Sequence, residues 1–128
     1  MAVNLRFRLQ SGPHALPLRR VYRVAGFGSL TGQPDDYFLG WLTFHGRQIP
    51  VFDLNRVVCD ASTPEEFGSR IILVEAGPDA PVPYVGLLAA GVTDTCAGDD
   101  PGVAPFDLDL YLQMISNFIP APPVASHE

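Results

Sequence analysis

The chain has 128 residues, the size of one average domain, with 47% hydrophobic and 17% charged residues, which is enough apolar material for a core. Gly and Pro together number 25 and are scattered between short apolar runs, a pattern typical of many strands and turns rather than disorder. The net charge of −6 argues against nucleic acid as a partner.

The first apolar pattern predicts a half-buried strand. Residues 3–10 alternate without a break between apolar side chains and Asn, Arg or Gln. Ser11-Gly12-Pro13 supplies a turn, and His14–Val24 reads as a second extended segment interrupted at Pro17. The stretch from Ala25 to Asp36 is rich in Gly and polar residues, so it is expected to be a long loop with a function or with mobility.

The middle of the chain predicts a β-hairpin. Residues 37–44 and 47–54 are two apolar runs with a period of two, joined by His45-Gly46. Gly46 tolerates a positive φ and His does so at modest cost, as a tight hairpin turn requires. Both strands look buried on both faces, as in a closed barrel. Pro50 cannot donate a backbone hydrogen bond and should lie at a bulge or face a barrel seam.

Two further strands and one helix are predicted beyond the hairpin. Residues 59–66 form an acidic surface connection, Arg70–Glu75 a buried strand, and Val82–Val92 a strand whose glycines mark a bulge or a close backbone approach. Residues 94–105 read as a loop. A helix begins near an N-cap at Asp107 or Asp109, and residues 119–128 are expected to be a flexible tail.

The residues that enzymes and metal sites need are thinly supplied. The three His and two Cys have no metal-ligand spacing, and no nucleophile elbow, phosphate-binding loop or dinucleotide motif occurs. We therefore expect no metal, no cofactor and no catalytic residue. Asp53 and Asp94 each follow an apolar run and could be a catalytic base, but we favour the interpretation that Asp53 caps a turn or the short 54–58 segment.

The N-terminal residues indicate a location for the protein, and the distribution of charge indicates what its basic part can pair with. Arg6 and Arg8 interrupt the first apolar residues, so no secretory signal is predicted, and no apolar run of about 18 residues would span a bilayer. We expect a cytoplasmic protein without membrane insertion, with Cys59 and Cys96 as buried small hydrophobes. Residues 1–34 carry five Arg and no acid (+5), and residues 35–128 carry three Arg and fourteen acids (−11). The basic part can pair with the acidic part, which we favour, or with an acidic partner surface.

The order of these motifs resembles the CheW-like family of chemotaxis coupling proteins. The resemblance runs from Val3 to Asp94, roughly seven tenths of the chain, through A-L-P-L-x-x-V-x-x-V, F-L-G-W-x-x-F-x-G-x-x-I-P-V-x-D-L, R-I-I-L-V-E and V-G-L-L-A-x-G-V-x-D. The most specific portion consists of Gly40, Gly46, Ile49, Pro50, Val51, Asp53 and Leu54.

This resemblance implies a fold and a function. The fold would be all-β, a pair of small SH3-like or OB-like β-barrels with one short C-terminal helix, in a single domain over residues 1–128 made of two intertwined subdomains. The function would be a non-enzymatic adaptor that couples a chemoreceptor to a CheA-type histidine kinase. Its partners would be the regulatory domain of the kinase and the cytoplasmic tip of the receptor.

The family pattern also implies a set of partner-binding residues and shows where this chain departs from it. By position the partner-binding residues are Val21, Arg23, Gly40, His45, Gly46 and Ile71. His45 stands where the family commonly has an Arg, Asn55 precedes Arg56 where the Arg usually follows D-L directly, and Ala90 replaces a common Asp. The family pattern also implies that the usual strand completing the first barrel is missing here, so that either Leu108–Phe118 substitutes for it or an edge of that barrel is left open.

That missing strand would leave an open edge, which is a template for pairing. We expect the C-terminal helix or a second copy of the chain to cover it, so a homo-oligomer is one expected form. Two alternative functions stay open at this point: a shortened CheW-like modulator that binds only one partner, and a small β-barrel enzyme or ligand-binding domain that uses Asp53 or Asp94.

Overall fold

The computed structural model describes most of the chain between Val3 and Ile119. The described residues are 3–26, 30–32, 34, 37–59, 69–77, 80, 82–92, 95–97 and 102–119, with only the backbone given at 57–59, 95–97 and 117. The 59–66 connection, apart from the backbone of Cys59, and Asp94 therefore lie outside the described part. Of the predicted 119–128 tail only Ile119 is described, and it packs partly buried against the core.

The described residues form nine strands and two short α-helices. The strands are β1 (Val3–Leu9), β2 (Gly12–Pro17), β3 (Val21–Gly26), β4 (Phe38–Phe44), β5 (Arg47–Asp53), β6 (Arg70–Glu75), β7 (Tyr84–Ala89), β8 (Thr95–Ala97) and β9 (Ala104–Pro105). The helices are α1 (Leu54–Cys59) and α2 (Leu108–Ile115), and single 3-10 turns span Leu18–Arg20 and Ser116–Phe118. The predominance of strands confirms the all-β prediction.

These strands make two sheets. One has the order β8-β1-β2-β9 and the other β3-β6-β7-β5-β4. Most neighbours are antiparallel, but β5 pairs with β7 and β2 with β9 in parallel. A single antiparallel bridge between Arg8 and Ala90 links the strand β1 to the residue that follows β7, so the two sheets meet along this line.

The two subdomains are curled sheets rather than barrels closed by hydrogen bonds among the described residues. In the five-stranded sheet the edge strands β3 and β4 still approach each other, because the rings of Tyr22 and Phe44 make an edge-to-face contact at 6.3 Å. Inside this curl lies a cluster of five buried side chains, Ile49, Val51, Ile71, Leu73 and Leu88. Side chains therefore bring together edges that backbone hydrogen bonds do not join.

A larger core cluster joins both sheets and α2. It contains Leu5, Phe7, Leu9 and Leu16 from the four-stranded sheet, and Phe52, Ile72, Val74, Val85 and Leu87 from the five-stranded sheet. The helix adds Leu108, Tyr111 and Ile115, which lie on one face at helical spacing. The two sheets and α2 therefore share this hydrophobic cluster.

The predicted hairpin is confirmed in its register and turn. β4 and β5 pair up to Phe44 opposite Arg47, and the two turn residues His45 and Gly46 have φ of 51° and 78°. Positive φ at both positions is the signature of a type I′ turn, whose twist matches the strands. The residue identities thus fix this turn locally.

Pro50 fits the hairpin without a bulge at its own position. It lies opposite Trp41, and the backbone N–H of Trp41 donates to the Thr31 carbonyl at 2.7 Å, on the outer side of β4. Because the polar backbone groups of Trp41 face away from β5, nothing opposite Pro50 needs its missing N–H. The pairing of β5 with β7 begins only at Val51, one residue later.

The C-terminal part agrees with the prediction in its helix and differs in its loop. Asp107 accepts a hydrogen bond from the Leu110 N–H at 3.1 Å, which confirms it as the N-cap of α2. The predicted loop 94–105 contains β8 and β9, of three and two residues. Strands this short carry too few residues to show a period of two, which explains the difference.

α2 and the residues before it cover part of the four-stranded sheet. β9 pairs with His14 and Ala15, and the Phe106 N–H donates to the Ala15 carbonyl at 2.8 Å. The Phe106 ring then contacts Phe7 at 5.5 Å and Tyr111 at 5.6 Å. In the described part of the chain, β9 and Phe106 therefore cover the β2 edge at this point, whereas we expected the helix or a second copy to do so.

Candidate functional site

Four of the six predicted partner-binding residues lie at one end of the five-stranded sheet. Val21 and Arg23 belong to its edge strand β3, where Val21 is half-buried against the core and Arg23 is exposed. His45 and Gly46 form the exposed tip of the β4–β5 hairpin. The contact between Tyr22 and Phe44 joins these two places, so the structure brings β3 and the hairpin tip together.

Gly40 is buried and has a role in the backbone. Its φ is +141°, and a Cβ at this position would lie 2.8 Å from the Thr31 carbonyl oxygen. It follows a bulge in β4, where the register shifts between Phe38 and Gly40. Gly40 therefore lets residues 30–31 pack closely on the hairpin, and it shapes the surface without forming part of it.

Ile71 also lies inside the protein. Its side chain has 0% exposure and belongs to the cluster enclosed by the curled five-stranded sheet. A partner cannot touch this side chain in the conformation described. Its assignment as a partner-binding residue stays a prediction, and the structure gives it a packing role.

An aromatic surface that the sequence analysis missed surrounds the hairpin tip. Tyr22 stacks on Tyr84 with ring centroids 4.5 Å apart, Phe44 contacts Tyr22 at 6.3 Å, and His45 contacts Phe44 at 4.3 Å. The Arg47 guanidinium lies 5.5 Å from the centre of the Tyr84 ring. These residues come from four strands and one turn, so no local sequence pattern could have grouped them.

We call this region the β3–hairpin surface and define it by Val21, Tyr22, Arg23, Phe44, His45, Gly46, Arg47 and Tyr84. It combines exposed Arg side chains with half-exposed aromatic rings, on a protein whose net charge is −6. Aromatic residues and Arg are the residue types that most often anchor protein interfaces. A partner that offers acidic and apolar groups would suit this surface best.

One ion pair confirms that the basic and acidic parts of the chain meet within one molecule. The Arg20 guanidinium donates to the Asp109 carboxylate at 2.8 and 3.3 Å, which ties the 3-10 turn before β3 to the first turn of α2. The hydrogen bond with Asp109 raises the pKa of Arg20, and the hydrogen bond with Arg20 lowers the pKa of Asp109. Arg20 is therefore engaged within the molecule.

Asp53 has the capping role that the sequence analysis favoured. Its buried carboxylate accepts hydrogen bonds from the N–H groups of Asn55 at 3.1 Å and Arg56 at 3.4 Å, at the start of α1. The side chain of Asn55 in turn accepts from the Gln10 N–H at 2.7 Å and joins α1 to the end of β1. Asp53 therefore caps the N-terminus of α1, and Asn55 links α1 to the residue after β1.

Two other polar side chains, the half-buried His14 and the buried Tyr111, pack against aromatic rings of the core. The ring of His14 lies 6.0 Å from Phe7 and hydrogen-bonds Ser11 Oγ through Nε2 at 3.0 Å, and burial lowers its pKa. The hydroxyl of Tyr111 is buried, and its burial, with a smaller contribution from the charge of Asp53, raises the pKa of the phenol. Burial therefore favours the neutral form of both side chains.

A cavity of ≈ 310 Å³ lies beside α2. Its apolar wall includes Ala76, Val85, Leu112 and Ile119, and its polar groups include the Arg20–Asp109 ion pair. Because these two charges already bind each other, the cavity offers little unsatisfied polarity to a ligand.

The described residues contain no group of three His, Cys, Asp or Glu side chains that could hold a metal ion. No helix in the described part of the chain has the length and apolar character needed to cross a bilayer.

Comparison with known proteins gives a family and a fold. The family model of the CheW-like domain matches residues 4–105. Among fourteen matching chains of known structure is the scaffolding protein TtCheW from Thermoanaerobacter tengcongensis, with a TM-score of 0.63 and 25% sequence identity. The match covers 77% of this chain and 63% of that chain, so this chain spans less than two thirds of TtCheW. No match was found among curated proteins.

Proposed function

The chain belongs to the family of CheW-like domains, and from this we propose that it is a non-enzymatic adaptor that couples a chemoreceptor to a CheA-type histidine kinase in a chemosensory pathway. The observation that carries the proposal is the family match over residues 4–105, which includes the central hairpin. The structural likeness to a protein described as a scaffold supports it. A cytoplasmic location is part of the proposal.

The β3–hairpin surface is the part of the structure that we assign to partner binding. Arg23, His45 and Gly46 are exposed there, and the half-buried Val21 adjoins them. The neighbouring rings of Tyr22 and Phe44 add apolar area that a docking partner would remove from water. In this proposal Gly40 and Ile71 act indirectly, because they set the shape of the hairpin and of the sheet behind it.

The geometry around Asp53 supports a binding role over an enzymatic one. A catalytic carboxylate needs access to a substrate, whereas Asp53 is 3% exposed and accepts two backbone hydrogen bonds. The cavity beside α2 does not contain Asp53 in its wall. The buried Asp53 carboxylate therefore serves folding.

Binding titrations with purified partners test the proposal. The protein is titrated separately with the kinase regulatory domain and with a cytoplasmic receptor fragment, as wild type and as Arg23→Ala. Because Arg is a common interface anchor, we expect Arg23→Ala to weaken one of the two interactions about tenfold. Arg8→Ala, which removes an exposed Arg from β1 in the other sheet, is the matched control and should bind as the wild type does.

The outcomes separate the functional alternatives. Binding of both partners supports the adaptor. Binding of only one would make the chain a modulator that cannot bridge kinase and receptor. If Arg23→Ala weakens neither interaction, the binding site lies outside the β3–hairpin surface. If the wild type binds neither partner, the proposal is contradicted.

A further inference from the structure

Two exposed apolar patches stand out on the described surface. Six of the seven large apolar side chains that are exposed fall into them. The first, which we call the basic patch, consists of Leu18, Arg19, Tyr22, Arg23 and Val24, in and before the edge strand β3. The second, which we call the helix stripe, consists of Leu110, Met114 and Phe118 on α2 and the 3-10 turn after it.

The helix stripe gives α2 a second apolar face. Leu108, Tyr111 and Ile115 already fill the core, whereas Leu110, Met114 and Phe118 are 53%, 45% and 50% exposed. Leu110 and Met114 are four residues apart and lie on one line of α2. Phe118 follows in the 3-10 turn, where its ring also contacts Tyr37 at 5.0 Å. A surface helix normally carries polar groups on its outer face, so this stripe is suited to contact with another surface.

The two patches have opposite charge. Residues 18–26 contain three Arg and no acid, whereas residues 102–119 contain two Asp and no Lys or Arg. Arg20 and Asp109 neutralise each other within the molecule, which leaves Arg19 and Arg23 on one patch and Asp107 beside the other. The two patches therefore carry opposite charges, and both also carry exposed apolar side chains.

We propose that the helix stripe of one molecule docks on the basic patch of a second copy of the same chain. The contact joins two different surfaces, and when two copies form it reciprocally about a two-fold axis the interface is isologous and closed. The Arg20–Asp109 ion pair holds the first turn of α2 beside the 3-10 turn that carries Leu18 and Arg19, so the elements that carry the two patches are neighbours in one molecule. Two copies can then form both contacts about a two-fold axis, and the product is a dimer.

The patches are small, so the dimer is weak. Three half-exposed side chains give a few hundred Å² per copy, whereas a standard interface buries about 800 Å² per partner. The basic patch shares Tyr22 and Arg23 with the β3–hairpin surface. Self-association therefore competes with any partner that binds there, a property beyond the adaptor role itself.

Two variants with one damaged patch each test the proposal by sedimentation velocity. Met114→Lys places a cation in the helix stripe, and Val24→Glu places an acid in the basic patch. Each should raise the dimer dissociation constant about tenfold or more when measured alone. The matched controls are Gln113→Lys on the same helix and Thr43→Glu on β4, both at exposed positions outside the patches. Circular dichroism checks that all four variants fold.

Mixing the two damaged variants gives the decisive result. In a 1:1 mixture the intact stripe of Val24→Glu can meet the intact patch of Met114→Lys, so dimers should return. If the stripe instead pairs with another stripe, Val24→Glu alone would dimerise as the wild type does, which overturns the proposal. A wild type that stays monomeric at all concentrations overturns it too. The measurement needs no kinase or receptor, so it is independent of the adaptor test.

Discussion

The substitution Ile71→Ala tests whether this side chain serves packing or partner contact. Ile71 is fully buried in the cluster inside the five-stranded sheet. The change removes three buried carbons, worth about 2.4 kcal/mol at about 0.8 kcal/mol each. The cavity left behind raises the expected loss to about 3 to 4 kcal/mol of unfolding free energy, within the usual range for such changes.

The neighbouring Gly86 makes the prediction sharper. A Cβ at Gly86 would lie 2.9 Å from Ile71 Cγ2 and 3.0 Å from Val51 Cγ2, which confirms the close approach predicted from the sequence. Gly86→Ala alone should therefore cost about 1 to 3 kcal/mol by overpacking. In the Ile71→Ala background the clash with Cγ2 is gone and the new methyl fills part of the cavity, so the two losses should overlap by about 1 kcal/mol.

Urea unfolding followed by the fluorescence of the buried Trp41 measures all three variants. Ile71→Val is the control, since it keeps Cγ2, should cost about 0.5 to 1.5 kcal/mol, and should not offset Gly86→Ala. The reasoning is wrong if Ile71→Ala costs less than about 1 kcal/mol while it weakens kinase or receptor binding. That result would place Ile71 at the contact surface.

Three further predictions concern caps, turns and charge. Asp53→Ala should lower the unfolding free energy by about 1 kcal/mol or more, through loss of the α1 cap, in the same urea assay. Gly46→Ala, at φ +78°, should cost about 1 kcal/mol, with a smaller loss for the exposed control Gln48→Ala. The folded-state pKa of Asp109 lies below its ordinary value of 3.8, so the ion pair stabilises the protein above about pH 4 and is lost as pH falls through the lowered pKa. In the Asp109→Asn variant the free energy of unfolding, measured by the same urea assay, should fall less as the pH is lowered in that range. High salt should reduce this difference between the variant and the wild type.

The sequence predicted those elements whose cause is local. The alternation at residues 3–10, the His45-Gly46 turn and the Asp107 cap each depend on residues within a few positions, and each appears in the structure. The function of Asp53 as a cap was open in the sequence and is settled by two backbone hydrogen bonds.

Features built by distant residues could not be predicted. The burial of Ile71 depends on how far the five-stranded sheet curls, which local pattern does not reveal. The stack of Tyr22 on Tyr84 joins residues more than sixty positions apart, and the two-residue strand β9 exists only because β2 is beside it. Candidate contact residues therefore came from family resemblance, while the aromatic part of the surface came from the fold.

The most direct test of the adaptor role is a titration of the protein into the kinase regulatory domain, with the receptor fragment first absent and then present at saturation. The adaptor account predicts binding at micromolar concentrations or tighter in both cases, and a ternary complex whose mass equals the sum of all three components. Binding to the kinase domain that disappears when the receptor fragment is added would contradict coupling, because a bridge must hold both partners at once.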